Sequence, residues 1–222
     1  MKTPPLDLAV PASIATATFA LGCFWTPDAL FGSLDGVVRT RVGYAGGTTE
    51  NPSYWKLADH IETVQVDYDP VKLDYQGLLD VFFHNHQPTR APWKRQYMSA
   101  IFYHDPEQER LAIKAKEKLE QRSGQQVYTA IYPLTKFYLA EDRHQKYKLQ
   151  RQPEIMEEFQ EVYPAFADFV NSTAAARVNG YQYGYGSRKW LEEATGNLGL
   201  SPAAQRILLS KASAHKDVTC GR

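Results

Sequence analysis

An α+β two-layer sandwich, with helices packed on one mixed or antiparallel sheet, is the fold class this sequence predicts. Strand-like and helix-like periods alternate through residues 16–132, the pattern of a chain that covers a sheet with helices. Two strand-like segments, 37–44 and 60–68, are neighbours in the sequence with only a long turn between them, which suits a mixed or antiparallel sheet. The 222 residues are 43% hydrophobic and 13% aromatic, enough to bury one substantial core. One domain with appendages is therefore expected.

Residues 16–21 (TATFAL) combine β-branched and aromatic side chains and read as a short strand leading into Gly22-Cys23. From 24 to 34, Trp25, Ala29, Leu30 and Leu34 recur at helical spacing, Pro27 fits a first turn, and Gly36 ends the helix. Residues 37–44 (VVRTRVGY) alternate as a strand, and Gly46-Gly47 with Asn51-Pro52 make a long turn. The cleanest alternation is HIETVQVDY at 60–68. An amphipathic helix over 74–85 carries Leu78, Leu79, Val81, Phe82 and Phe83. A loop containing Pro and Arg runs from 87 to 95, then come a strand at 98–103, a helix at 106–122 opening on Pro106, and a strand at 127–132. That order is ferredoxin-like. Further helices are expected at 142–150, 154–161 and 202–211, separated by Pro153 and the aromatic-glycine run GYQYGYG at 180–186. The chain thus divides into a loose leader (1–15), a core (16–147) and a mostly helical C-terminal extension packed on the core (148–222).

Lys plus Arg and Asp plus Glu both total 25, so the basic excess that usually marks a nucleic-acid partner is missing. No apolar run approaches the length of a membrane span. A signal peptide ending at Cys23 is argued against by Pro4, Pro5, Asp7 and Pro11, which interrupt any apolar helix. An intracellular, cytoplasmic protein is expected. The two cysteines, Cys23 and Cys220, are too few for a disulfide scaffold. They are inert thiols, a reactive thiol, or a pair that meets during a redox cycle. No metal site is expected: His84 and His86 fall on different faces of a helix, and no cysteine is near.

Cys23 stands at a strand-to-helix junction, where free N–H groups and the positive end of the helix dipole favour thiolate. Phe24 and Trp25 beside it suit the walls of a small apolar pocket. By itself the segment reads better as a buried cysteine among core aromatics than as a reactive one. Tyr54, in Asn51-Pro52-Ser53-Tyr54, caps the core or faces a pocket. Glu62 shares its strand face with Val64, Val66 and His60; buried there its pKa would rise, as a general acid requires, whereas at the strand end it would reach solvent. Tyr97, entering a strand after a loop, either projects its hydroxyl into a pocket or packs.

Together these segments resemble the A-type peptide methionine sulfoxide reductases. The shared motifs are GCFW at 22–25, VGYAGG at 42–47, NPSY at 51–54, HIETVQVDYDP at 60–70, QYMSAI at 96–101 and FYLAEDRHQ at 137–145. The resemblance covers about residues 17–147 and implies reduction of the S epimer of methionine sulfoxide, in peptides or free. It implies Cys23 as nucleophile, Glu62 as proton donor, Tyr54 and Tyr97 as hydrogen-bond donors to the sulfoxide oxygen, and Phe24 and Trp25 as the pocket for the S-methyl group. It implies a sulfenic acid on Cys23 that condenses with a second thiol, thioredoxin or another thiol as reductant, and no cofactor.

Two departures accompany it. Family members carry a QGNDxGTQY-like segment whose Asp helps bind the sulfoxide; here the loop is shortened to APWKRQY at 91–97 and holds no acid, so only Tyr97 carries over. The chain also continues into a helical tail where many relatives end in a glycine-rich segment bearing recycling cysteines. Cys220 is the internal candidate for the resolving thiol. Two other functions stay open: reduction of a different small sulfoxide through the remodelled rim, and a non-catalytic redox-sensing or binding module.

Overall fold

The computed structural model describes residues 3–9, 11–186 and 188–210; Cys220 lies outside the described residues. In chain order the elements are α1 (Pro5–Leu8), β1 (Ala15–Leu21), α2 (Trp25–Gly32), β2 (Val37–Ala45), β3 (Ile61–Tyr68), α3 (Tyr75–His84), β4 (Ser99–Tyr103), α4 (Pro106–Ser123), β5 (Ala130–Pro133) and β6 (Phe137–Leu139). Then come α5 (Pro153–Val162), α6 (Phe166–Val170), α7 (Thr173–Gln182), α8 (Arg188–Ala194) and α9 (Pro202–Ser210). The strands form one sheet in the order β5-β4-β1-β3-β2-β6. Its inner four strands, β4-β1-β3-β2, are antiparallel throughout and have the ferredoxin-like order. β5 adds parallel to β4 after the α4 crossover, and β6 adds antiparallel to β2. The α+β expectation holds.

Local chemistry sets the helix boundaries. Asp74 caps α3 by accepting from Gly77 N–H at 2.7 Å, and Asp105 caps α4 through Gln108 N–H at 2.8 Å, with Pro106 in the first turn. Gly124 ends α4 in the left-handed region at φ +64°, where glycine carries no Cβ penalty. Cross-strand register then aligns Phe19, Val64, Val42 and Ile101 on one face. Phe19 stacks there on Phe31 of α2 and Tyr75 of α3, at centroid separations of 5.2 and 6.1 Å. A fully buried ring of this size contributes roughly 1.5–3 kcal/mol relative to exposure, so this face is where the core sits.

The region after Gln145 departs most from expectation. The helix predicted over 142–150 is replaced by two single 3₁₀ turns, Asp142–His144 and Leu149–Arg151. Lys146 between them has φ +48°, which no α-helix accommodates. β6 and α6 were not read from the sequence, and neither was α7, whose residues 174–181 are all buried. α7 lies so close to α2 that a Cβ on Gly32 would stand 2.6 Å from the Ala176 carbonyl oxygen, and one on Gly180 would stand 2.7 Å from that of Ala29. α2 is thereby held between the sheet and α7. Asp7 of the leader accepts from Ala174 N–H at 3.0 Å at the start of α7, and from the hydroxyl of Tyr163.

One buried polar cluster joins these layers. Asp28 of α2 accepts from Thr40 Oγ1 (2.5 Å), Asn179 Nδ2 of α7 (3.1 Å), and both the backbone N–H (3.0 Å) and Nζ (3.1 Å) of Lys146. Lys146 and Asp28 are fully buried, so removing one leaves an uncompensated charge. Lys146→Ala is expected to cost about 3–5 kcal/mol, read as a fall in Tm of about 6–20 °C. A loss under about 1 kcal/mol in urea unfolding would show that the pair is dispensable. No helix among the described residues is long and apolar enough to cross a membrane.

Candidate active site

Cys23 follows β1 and precedes the first turn of α2, with its side chain exposed. No side chain caps this helix, so its leading N–H groups are available to the site itself. Phe24 N–H donates to Glu62 Oε2 at 3.0 Å. The neighbouring Trp25 N–H favours the Cys23 thiolate. Glu62 lies on β3 opposite Tyr44 of β2 and continues the helix-covered row of Val64 and Val66. It is 1% exposed, so the alternative in which it reaches solvent is excluded. Its other oxygen accepts from Gln96 Nε2 at 2.7 Å. Burial pushes the Glu62 carboxyl pKa up despite these two donors, which favours the neutral acid.

The expected thiolate bias at Cys23 is reversed. Desolvation raises the thiol pKa more than the Trp25 N–H lowers it, and the Glu62 charge raises it further. A helix N-terminus assists a thiolate, but the protein beside this sulfur withdraws more hydration than one donor returns. Tyr97 is pushed up to about 12, first by desolvation, then by the charge of Glu62, by its hydrogen bond to Tyr54 and by Cys23. Phe24 is buried against Tyr44 and His144, at centroid separations of 5.8 and 5.3 Å. Trp25 is half-buried and stacks on Tyr147 at 3.6 Å.

Several supporting residues were not assigned roles from the sequence. Gln96 had one available signal, its place in the QYMSAI motif, but nothing in sequence reveals that its amide faces Glu62. Glu141 accepts from Tyr54 N–H at 3.0 Å and from the Tyr44 hydroxyl at 2.7 Å, which fixes the backbone that carries Tyr54. His144 accepts from Trp25 Nε1 at 3.2 Å and packs on the rings of Phe24, Trp25 and Tyr54. Burial lowers its pKa, so a neutral imidazole fills the space between them. Tyr183, from the aromatic-glycine run, stacks on Tyr185 at a centroid separation of 6.2 Å. Burial and the nearby Cys23 charge help push its own pKa up to about 12. Among the described residues no group of three or more His, Cys, Asp and Glu side chains is placed to hold a metal ion.

The sequence profile of the family described as "Peptide methionine sulfoxide reductase" matches residues 15–177. A Drosophila melanogaster protein named peptide methionine sulfoxide reductase is 40% identical over 194 residues, covering 86% of this chain and 78% of its own. The crystal structure of reduced Mxr1 from Saccharomyces cerevisiae superposes with a TM-score of 0.60 at 32% identity, covering 65% of this chain and 88% of that one. Methionine sulfoxide reductase A of Corynebacterium diphtheriae superposes with a TM-score of 0.56, also at 32% identity, covering 69% and 83%.

Proposed function

This chain belongs to the peptide methionine sulfoxide reductase family, and on that premise we propose that Cys23 is its nucleophile, acting with Glu62, Tyr54 and Tyr97. The chain reduces methionine sulfoxide to methionine. The observation that carries the residue assignment is the buried Glu62 carboxyl, held at 3.0 Å by the N–H of Phe24, the residue that follows Cys23 in the chain.

In the proposed reaction the Cys23 thiolate attacks the sulfoxide sulfur while Glu62 delivers a proton to the oxygen. The Tyr54 and Tyr97 hydroxyls donate to that oxygen as negative charge develops on it. Phe24 and Trp25 hold the S-methyl group in an apolar pocket. Transfer of the oxygen leaves methionine and a Cys23 sulfenic acid. The sulfenic acid then condenses with a second thiol, releasing water and leaving a disulfide. Cys220 is the internal candidate for that thiol; thioredoxin, or another thiol, supplies the final two electrons. A cytoplasmic location fits this dependence on a reducing compartment.

The test is turnover of the separate S and R epimers of methionine sulfoxide with dithiothreitol. S-epimer turnover exceeding that of R by at least about 100-fold is expected, because the wrong epimer presents its oxygen away from Glu62 and loses preorganised hydrogen bonds. Preference for R would overturn the reading.

A further inference from the structure

We propose that two basic, aromatic grooves beside the active site bind acidic residues flanking a methionine sulfoxide in a polypeptide, making this enzyme selective for acidic peptide segments. This rests on the function proposed above and specifies its substrate class. The first groove, of 270 Å³, contains Trp25 and Tyr54 of the site and continues over Trp55, Arg143, Tyr147 and Arg151. The second, also of 270 Å³, adjoins the site through Leu21 and Tyr97 and is edged by Arg90 and Trp93.

Three features point to an acidic polypeptide. First, the grooves extend the site from different walls, and free methionine sulfoxide is too small to occupy both. Second, Trp55 and Trp93 are 80% and 77% exposed, the two most exposed tryptophans described, and one borders each groove. Aromatic faces of this kind are enriched where partners bind. Third, neither groove is lined by an Asp or Glu, whereas Arg90, Arg143 and Arg151 line them. The whole chain is formally neutral, so this is a local concentration of charge.

Two of the three arginines are also available. Among the described residues, Arg90 and Arg151 form no ion pair. Arg143 is partly engaged, donating Nε–H to His144 at 3.2 Å and approaching Glu141 at 3.6 Å. The Arg151 guanidinium carbon stands 3.8 Å from the Tyr147 ring centroid, and that of Arg143 5.9 Å from the Trp55 ring. A guanidinium held over an aromatic ring keeps its N–H donors for a carboxylate.

The test uses free methionine S-sulfoxide and two peptides that differ only in whether the sulfoxide is flanked by Glu or by Lys, all with dithiothreitol at low salt. The Glu peptide is expected to show about 10-fold higher kcat/KM than the Lys peptide, mostly through KM and shrinking as salt rises. Arg151→Glu and Arg90→Glu should each erode that preference and together abolish it, with free methionine sulfoxide unaffected within about twofold. Equal kcat/KM for the two peptides in the unaltered enzyme would overturn the proposal. So would an equal loss on the free amino acid, or a defect that appears only when thioredoxin replaces dithiothreitol, which would assign the grooves to the reductant. Failure of the unaltered enzyme on all three substrates would instead count against the function itself.

Discussion

Cys23→Ser eliminates sulfoxide turnover, with a fall of at least about 10³-fold in dithiothreitol-supported reduction of the S epimer. Serine preserves the size and position of the side chain, but its hydroxyl is far weaker as an acid and far less nucleophilic toward sulfur. The two α2 N–H groups cannot offset that difference, since burial already outweighs the Trp25 N–H for the more acidic thiol. Because Cys23 is exposed, the substitution should leave stability within about 0.5 kcal/mol, so lost activity is not lost folding. In the unaltered enzyme, one sulfoxide equivalent without reductant should yield one methionine and either a Cys23 sulfenic acid or a disulfide at Cys23. A variant that keeps more than a tenth of the rate would remove Cys23 from the nucleophile's role.

Glu62→Gln is expected to lower kcat/KM by about 10²–10⁴-fold and to change the form of the pH profile. Both Glu62 and Cys23 have raised pKa values, so between them the site holds one proton over a wide interval. Thiolate with carboxylic acid has the same proton count as thiol with carboxylate, and the reacting form is a constant fraction of that state. The rate should therefore rise through the elevated pKa of Glu62 as the second proton leaves, stay flat, and fall only above the elevated pKa of Cys23. In Glu62→Gln the acid limb disappears, and the residual rate climbs with pH as thiolate forms. The Cys23 pKa itself should fall, because the Glu62 charge that raises it is gone; alkylation rate against pH measures this directly. An unchanged profile in Glu62→Gln would sink the shared-proton mechanism.

A linkage consequence has a definite sign. A carboxyl whose folded pKa is raised is favoured in its protonated form by folding. Glu62 therefore weakens the fold as pH rises from the ordinary carboxylate range through its elevated value. Its placement exchanges stability for a proton donor, and the two hydrogen bonds from Phe24 and Gln96 limit that cost.

The inner sheet was legible because its signals are local. The alternation in HIETVQVDY puts Glu62, Val64 and Val66 on one face whatever the rest of the chain does. The extension was less legible for the opposite reason. α7 is buried on nearly every side, Arg177 and Asn179 included, against α2, β2 and the other helices, and a helix enclosed in this way carries no amphipathic period to read. The 142–150 segment has helical composition, but Gln145 and Lys146 are drawn out of a helix by tertiary bonds. Gln145 bridges Val42 N–H and the Val42 and Ala140 carbonyls, and Lys146 reaches Asp28. Helix propensity is worth tenths of a kcal/mol per residue, less than such buried bonds are worth together.

By itself the sequence determined the order of strands and helices from β1 to β5, the placement of Cys23 at a strand-to-helix junction and the strand face that Glu62 shares. These follow from backbone periodicity and turn chemistry over a few residues. Only the tertiary structure decided that Glu62 is buried and neutral-leaning, that Gln96 and Glu141 hold the site's polar atoms, and that the Cys23 thiol sits above its ordinary pKa. Those properties depend on desolvation and hydrogen bonding by residues up to 97 positions distant in the chain, and no local pattern encodes what water a fold excludes.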